Sequence, residues 1–332
     1  MIFHKLSLQK FPRRSVYCLL SGGLGNQMFQ YATARALALS HNAVLYLDIR
    51  SRFINDLIYN RTFMLSQFPI IGLTSAPFWI HLSYKILKFF QKLRGCLEVL
   101  FVAIPWLPCS TTISSAGIVK TNLFGAELFQ ERDFFFHPEL VSSIKSLRIL
   151  SGYWQSPAYF LEFSSQIRAE LFPPTPTNTE ILRLGAHFRD NQTLAIGVRL
   201  YEESPDSWKN AHKGRQKSLL SLSKVVSRFK SDNPGLVTAV FCTHHSPLIN
   251  QYLDVDNMTH LVFPEYGFSD PVDTMWLLSQ CKHHIFLNSS FYWWGAWLSS
   301  GVHPLDSDNP SLVCAADNFI NQDSYVPEWC RF

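Results

Sequence analysis

Charge is sparse in this 332-residue sequence: Asp, Glu, Lys and Arg make up 16% of it, and the formal net charge is only +4. So diffuse an excess does not build a nucleic-acid surface, and no nucleic-acid-binding motif is present, which sets nucleic acid aside as a partner. No Gly-Lys pair occurs anywhere, so a Walker phosphate loop is excluded. The seven cysteines, at positions 18, 96, 109, 242, 281, 314 and 330, are odd in number and form no Cys-x-x-Cys pair. That pattern argues against a disulfide frame and a zinc site, and reads as reduced core residues in a cytosolic protein. No run reaches the roughly 18 to 20 apolar residues of a membrane span. The basic start, MIFHKLSLQKFPRR, has no apolar stretch of signal-peptide length.

What is present is a chain that can bury a large core. Hydrophobic residues account for 47% of it, and the length exceeds what one core usually serves, so two domains are expected. The stretch that organises the chain is Ser21 to Ala32, SGGLGNQMFQYA. The strand formers Val16 to Leu20 precede it. Met28 to Leu39 follows with Ala32, Ala34, Ala36 and Ala38, small residues that let a helix lie close to a sheet, and Ala43 to Asp48 reads as the next strand. A strand, a glycine turn and a helix start place Gly22-Gly23-Leu24-Gly25 at the carboxyl end of a parallel strand, where open α/β sheets bind ligands. Glycines there let backbone amides approach an anion. The dinucleotide fingerprint needs a further glycine where Met28 stands, and only Asp48 suits a nicotinamide dehydrogenase.

The segment GGLGNQMFQYA resembles the N-terminal motif of glycosyltransferase family 11, the α-1,2-fucosyltransferases. Gly152 to Phe160 (GYWQSPAYF) and Asn288 to Leu298 (NSSFYWWGAWL) are similar to two further segments of that family, in the same order. The resemblance implies a GT-B-like α/β fold, two Rossmann-like domains facing across a cleft, with the sugar nucleotide held mainly by the second. It also implies metal-independent, inverting transfer of L-fucose from GDP-β-L-fucose to a glycan hydroxyl, with no cofactor. O2 of a terminal galactose on a glycan or lipid-linked oligosaccharide is the expected acceptor. Transfer of another GDP-sugar, or a non-catalytic binder of the same fold, are the alternatives. Golgi members carry a membrane anchor, so its absence favours a bacterial, cytoplasmic type, peripheral at most at the inner face of the membrane.

Prolines 173, 174 and 176 mark the domain junction. The expected division is an acceptor-side domain over 1–172, a linker and helix over 173–190, and a GDP-sugar domain over 191–332. Within the first, residues 57–110 form an apolar and basic insertion. Ile86, Phe90, Leu93, Leu97 and Leu100 fall at helical spacing there, while Lys85, Lys88 and Lys92 share another face, so residues 85–100 are a candidate membrane contact. Beyond the junction, strands and helices alternate as in a second α/β domain.

The candidate residues follow from these placements. Arg199 ends the strand Leu194 to Leu200 and would offer a planar donor fork to a diphosphate. The family pattern His-x-Arg-Arg-Gly-Asp is altered here: Gly197 stands for His, Arg199 keeps the first Arg, and Leu200, Tyr201 and Glu202 replace the rest. Asn288, Ser289 and Ser290 open a helix whose first turn suits a phosphate. Gly23, Gly25, Gln27 and Asp273 complete the donor set, and Asn26 would orient acceptor or fucose. Glu202, Glu203 and Asp206 are candidates for the base. Asp254 and Asp256, like Asp306 and Asp308, match the Asp-x-Asp of metal-dependent transferases but lie in loop sequence. His283, Trp293 and Trp294 read as structural.

Overall fold

The computed structural model describes residues 14–54, 56, 60–96, 109–113, 118–200, 211–254, 257–303, 310–317 and 322–332. Contacts divide the chain into two units. The first comprises Met1–Gly22, Phe29–Phe63 and Ile71–Ile167, and the second Gly23–Met28, Met64–Ile70 and Arg168–Phe332. Each is an α/β unit built on a six-stranded sheet, the Rossmann-like pair that the GT-B resemblance implies.

The first unit contains β1 (Ser15–Leu19), most of α1 (Leu24–Ser40), β2 (Val44–Asp48), α2 (Phe78–Cys96), β3 (Cys109–Ile113), β4 (Ile118–Leu123), β5 (Ala126–Glu131) and β6 (Leu147–Ser151). Its strand order is β2-β1-β6-β5-β4-β3. The four strands from β2 to β5 run parallel, and β4 and β3 extend the sheet as an antiparallel meander. β1 is buried along its whole length, and Ala32, Ala34, Ala36 and Ala38 are buried beside it. The helix starts four residues earlier than its alanines suggest, so Leu24 to Gln27 are helical and not part of the turn.

Helix α2 covers this sheet with Ile80, Tyr84 and Leu87, which pack with Tyr17, Leu19, Leu128 and Ile149. This corrects the expected apolar face. Ile86 and Phe90 are only half-buried, Lys88 leans inward toward Gln130, and residues 97–100 lie outside the described residues. The exposed stripe instead carries Phe78, Leu82, Lys85, Phe89 and Lys92, four or three residues apart.

The second unit takes in the end of α3 (Ser164–Leu171), then α4 (Thr179–Asp190), β7 (Leu194–Val198), α5 (Ala211–Asp232), β8 (Thr238–Cys242), α6 (Pro247–Tyr252), β9 (His260–Val262), α7 (Pro271–Gln280), β10 (His283–Phe286), α8 (Ser290–Ser299), β11 (Val313–Ala315) and β12 (Cys330–Arg331). Residues 173–190 thus fall inside this unit. Its sheet is parallel throughout, in the order β12-β11-β10-β7-β8-β9. Leu194, Ile196, Val198, Val240 and Ile285 of the strands form one core with Leu219, Leu222 and Val226 of α5. Trp293 and Trp294 are buried, and Nε1 of Trp293 donates to the Ser324 carbonyl. Cys18, Cys242, Cys281 and Cys314 are buried as expected of core thiols, but Cys330 is exposed, because β12 is the short edge strand.

Candidate functional site

In the second sheet the chain leaves β7 in one direction toward β8 and β9, and later returns to the other side of β7 with β10. The crevice outside the carboxyl ends of β7 and β10 is therefore the switch point at which a doubly wound sheet binds its ligand. Arg199 stands just past β7, and Asn288 to Ser290 just past β10. Arg199 Nη1 donates to Thr243 Oγ1 beyond the end of β8, 2.9 Å away, which steers the guanidinium along the same edge. Asp273 lies in the first turn of α7, capped by Asp270, whose side chain accepts from the Val272 amide. Partial burial, with Asp270 adding repulsion, raises the Asp273 carboxyl above its ordinary range.

Gly23 to Met28 belong to this unit, and their packing explains why glycine is needed at position 25. A side chain at Gly25 would put its Cβ 2.6 Å from the Phe291 nitrogen and from the Ser290 carbonyl carbon. The first turn of α1 thus lies directly on the first turn of α8, and Ser290 Oγ donates to Asn26 Oδ1 at 2.8 Å. Two helix N-termini converge, and neither has an acidic residue in its first turn. Neither positive end is therefore offset by a carboxylate of its own first turn. Gln27 does something else: it is fully buried, and its Oε1 accepts from the Met64 amide at 2.9 Å.

Gly197 is also a packing requirement. A Cβ there would lie 2.6 Å from the Tyr292 ring, whose hydroxyl donates to the carbonyls of Val198 and Phe241 at 3.0 and 2.9 Å. A phenol from α8 therefore occupies the space that a larger side chain at position 197 would need, and ties the ends of β7 and β8 together.

The first unit has its own switch point, between β1 and β6, and a cleft of about 230 Å³ opens at their carboxyl ends. Ser21, Arg52, Glu131, Asp133, Phe134 and Tyr153 line it. Arg52 Nη2 donates to Ser151 Oγ at 2.6 Å, and Asp133 Oδ1 meets His137 Nε2 at 2.7 Å. Phe134 and Tyr153 stack, with ring centroids 6.3 Å apart. Glu131 accepts the amides of Tyr153 at 2.5 Å and Trp154 at 3.1 Å, yet burial outweighs those bonds and lifts its pKa to about 7, with Asp133 contributing. The Gly152 to Phe160 motif thus begins at this cleft. Sequence reasoning missed Glu131, because β5 was not recognised. The signal was the polar run Gln130-Glu131-Arg132-Asp133 after an apolar Leu-Phe pair.

Asp48 does not offer a ribose contact. Its carboxylate accepts from Tyr17 Oη at 2.7 Å and from the amides of Arg50 and Ser51, so it holds the turn after β2. His283 is structural, its Nδ1 accepting from the Leu312 amide. A wider cavity of about 610 Å³ between α4 and the segment after β9 gathers none of the candidate residues. Glu202, Glu203, Asp206, Asp256, Asp306 and Asp308 lie outside the described residues. Among the described residues, no three His, Cys, Asp or Glu side chains group as metal ligands.

The profile of glycosyl transferase family 11 matches residues 147–332. Two curated Escherichia coli proteins are similar over most of their length. One is an alpha-1,2-colitosyltransferase, 27% identical over 290 residues, covering 86% of this chain and 88% of that protein. The other is the O-antigen biosynthesis glycosyltransferase WbnK, 27% identical over 297 residues, covering 86% and 90%. Among solved structures, fucosyltransferase NodZ from Bradyrhizobium aligns over 86% of this chain and 92% of its own, at 15% identity and a TM-score of 0.44.

Proposed function

The chain belongs to glycosyl transferase family 11 and is a glycosyltransferase, and from that premise we propose that it moves L-fucose from GDP-β-L-fucose, with inversion, onto O2 of a terminal galactose in a glycan or lipid-linked oligosaccharide. The observation that carries this reading is the convergence of the α1 and α8 N-termini at the switch point that Arg199 also borders. Donor chemistry needs positive charge where the diphosphate departs. Two helix N-termini and a guanidinium supply it without a metal ion, as preorganised groups that need not reorient during the reaction.

The colitosyltransferase relative supports α-1,2 linkage and favours a different sugar as the second reading, since the altered positions Gly197 and Leu200 lie at the end of β7 beside the donor crevice. A panel of GDP-fucose, GDP-colitose, GDP-mannose and a UDP-sugar, scored for nucleotide release with and without a galactose-terminated acceptor, tests both. Turnover with the UDP-sugar alone would refute the donor class. Transfer undiminished in EDTA is expected. A rate restored only by added Mn²⁺ or Mg²⁺ would bring Asp254 and Asp256 into play as ligands.

We also propose that α2 lies against an anionic lipid surface. No helix among the described residues is long and apolar enough to cross a membrane. The exposed stripe of α2, however, alternates Phe78, Leu82 and Phe89 with Lys85 and Lys92, and the helix contains no acidic residue. Such a face complements anionic headgroups, each lysine adding about 1 kcal/mol near the surface. Replacing Lys85 and Lys92 by Gln should release the protein from phosphatidylglycerol vesicles in a salt-sensitive way, with soluble-acceptor turnover unchanged. Equal vesicle binding by variant and parent would end the idea.

A further inference from the structure

The outer two strands on one side of the second sheet bring two thiols together. β11 and β12 run parallel, and their register sets Cys314 opposite Cys330, so the two side chains leave the same face of the sheet. Their sulfurs are already hydrogen-bonded. The other cysteines in described strands, Cys18, Cys109 and Cys242, stand opposite leucine or valine instead. Neighbouring strands lie about 4.8 Å apart, within the roughly 4.4 to 6.8 Å between Cα atoms that a disulfide bridges. The bond also needs Cβ atoms about 3.8 Å apart, so one strand must tilt toward the other. β12 is two residues long and paired on one side only, which leaves it free to tilt. Cys330 is exposed there, whereas Cys314 is buried behind it.

We propose that Cys314 and Cys330 are a redox-responsive pair, which a low-molecular-weight disulfide such as oxidised glutathione closes into a reversible disulfide that pins the carboxyl-terminal strand to β11. The accessible Cys330 sulfur, its proton lost to water, attacks the S–S bond of the oxidant. A mixed disulfide forms and one thiolate leaves, taking up a proton from water. The Cys314 sulfur then attacks the Cys330 sulfur, the mixed bond breaks, and the second small thiol leaves with the Cys314 proton. Two cysteine thiols are oxidised and one small disulfide is reduced to two thiols, so the exchange balances. The bond is a switchable one, not the disulfide frame that the scattered cysteines argue against.

The chemistry of the two thiols fits this order of events. Burial, with the hydrogen bond and charge of the Cys330 sulfur adding, pushes the Cys314 thiol up to about 12, so it stays protonated and inert while Cys330 is free. Capture of Cys330 in a mixed disulfide removes that sulfur's charge, and Cys314 ionises more readily when its attack is needed. What the closed bond holds is the carboxyl-terminal segment. Phe332 packs on the core of the second sheet, Trp329 meets Phe286 edge to face, and the Arg331 guanidinium lies 3.7 Å over the Tyr325 ring. A covalent link at position 330 also closes residues 315–329 into a loop in the unfolded chain, which lowers its entropy and favours the folded state.

The test is treatment of the full chain with oxidised glutathione at mildly alkaline pH, followed by alkylation of the remaining thiols, peptide mapping by mass spectrometry and thermal unfolding. A peptide pair joined through Cys314 and Cys330 should appear, and Tm should rise by about 5 °C. Excess reduced glutathione should reverse both. Cys330→Ser changes an exposed side chain, so it should fold as the parent does and show neither the link nor the rise. Failure of the parent to react overturns the proposal. So does glutathione retained on Cys330 without the link, a link between any other two cysteines, or a link that excess reduced glutathione leaves closed. A linked parent whose Tm does not rise, or an equal rise in Cys330→Ser, refutes the pinning of the strand.

Discussion

Replacing Gly25 by Ala tests the packing of α1 on α8 most directly. The new Cβ would lie 2.6 Å from two backbone atoms, the Phe291 nitrogen and the Ser290 carbonyl carbon, and backbone cannot rotate out of the way. Reaching the 3.4 Å at which ordinary contact begins requires the two helix starts to part by about 0.8 Å, and the Asn26–Ser290 hydrogen bond must lengthen with them. Overpacking of this kind costs about 1–3 kcal/mol, a fall in Tm on the order of 5 °C for a unit of this size. Misplacing charge-stabilising groups by most of an ångström should lower kcat by about 10²-fold. The assay is nucleotide release at saturating donor and acceptor, paired with thermal unfolding and GDP titration. Gly23→Ala is the informative partner, because a Cβ there meets nothing within 4 Å. Its Tm should match the parent, so any loss of GDP affinity reports a ligand that approaches the turn. Parental turnover and Tm in Gly25→Ala would refute the reasoning. Parental GDP affinity in Gly23→Ala would place the diphosphate away from the turn.

Under the proposed role of Arg199, a fork that meets charge growing as the glycosidic bond breaks, Arg199→Ala should lower kcat by about 10²- to 10³-fold and weaken GDP less, and Arg199→Lys should recover only part of the rate. Unchanged turnover, or a large fall in Tm, would make Arg199 a structural link to Thr243. Stability should fall on acidification: burial depresses His284 to about 3 and His283 to about 4 in the folded chain, so the unfolded chain binds more protons below its own pKa near 6.5. Their contribution is complete above that value and is lost as pH drops toward 4 and 3. A Tm that holds constant from pH 7 to 4 would contradict this.

Much of the sheet was readable because buried parallel strands are near-continuous apolar runs. Leu194 to Leu200 needed only trimming at its carboxyl end. β5 escaped because Glu127 interrupts it. The structure shows the compensation, since Glu127 is paired in register with Arg148 of β6, and its Oε2 accepts from the Arg148 guanidinium at 2.6 Å. A pair of that kind is invisible along one dimension, where each member looks like a surface charge. α2 was misoriented for a related reason. Its helix is apolar on more than one face, and periodicity does not say which face the sheet will take. At the donor crevice, sequence supplied the residues and missed their partners. Nothing in the spacing of Asn26 and Ser290 announces that they are hydrogen-bonded across 264 positions.

The fit between Gly197 and Tyr292 makes each of those two positions depend on the other. A histidine at 197, the residue of the family pattern, collides with the tyrosine ring if it arrives first. If the tyrosine shrinks first, the carbonyls of Val198 and Phe241 lose the hydroxyl that now serves both. Either single change is harmful while the double change need not be, so the two positions are energetically coupled. A chain that carries the phenol here has no room for an imidazole at position 197. Any change at the carboxyl end of β7 then has to work around the ring, through Arg199 and Leu200, which follow Gly197 in the chain.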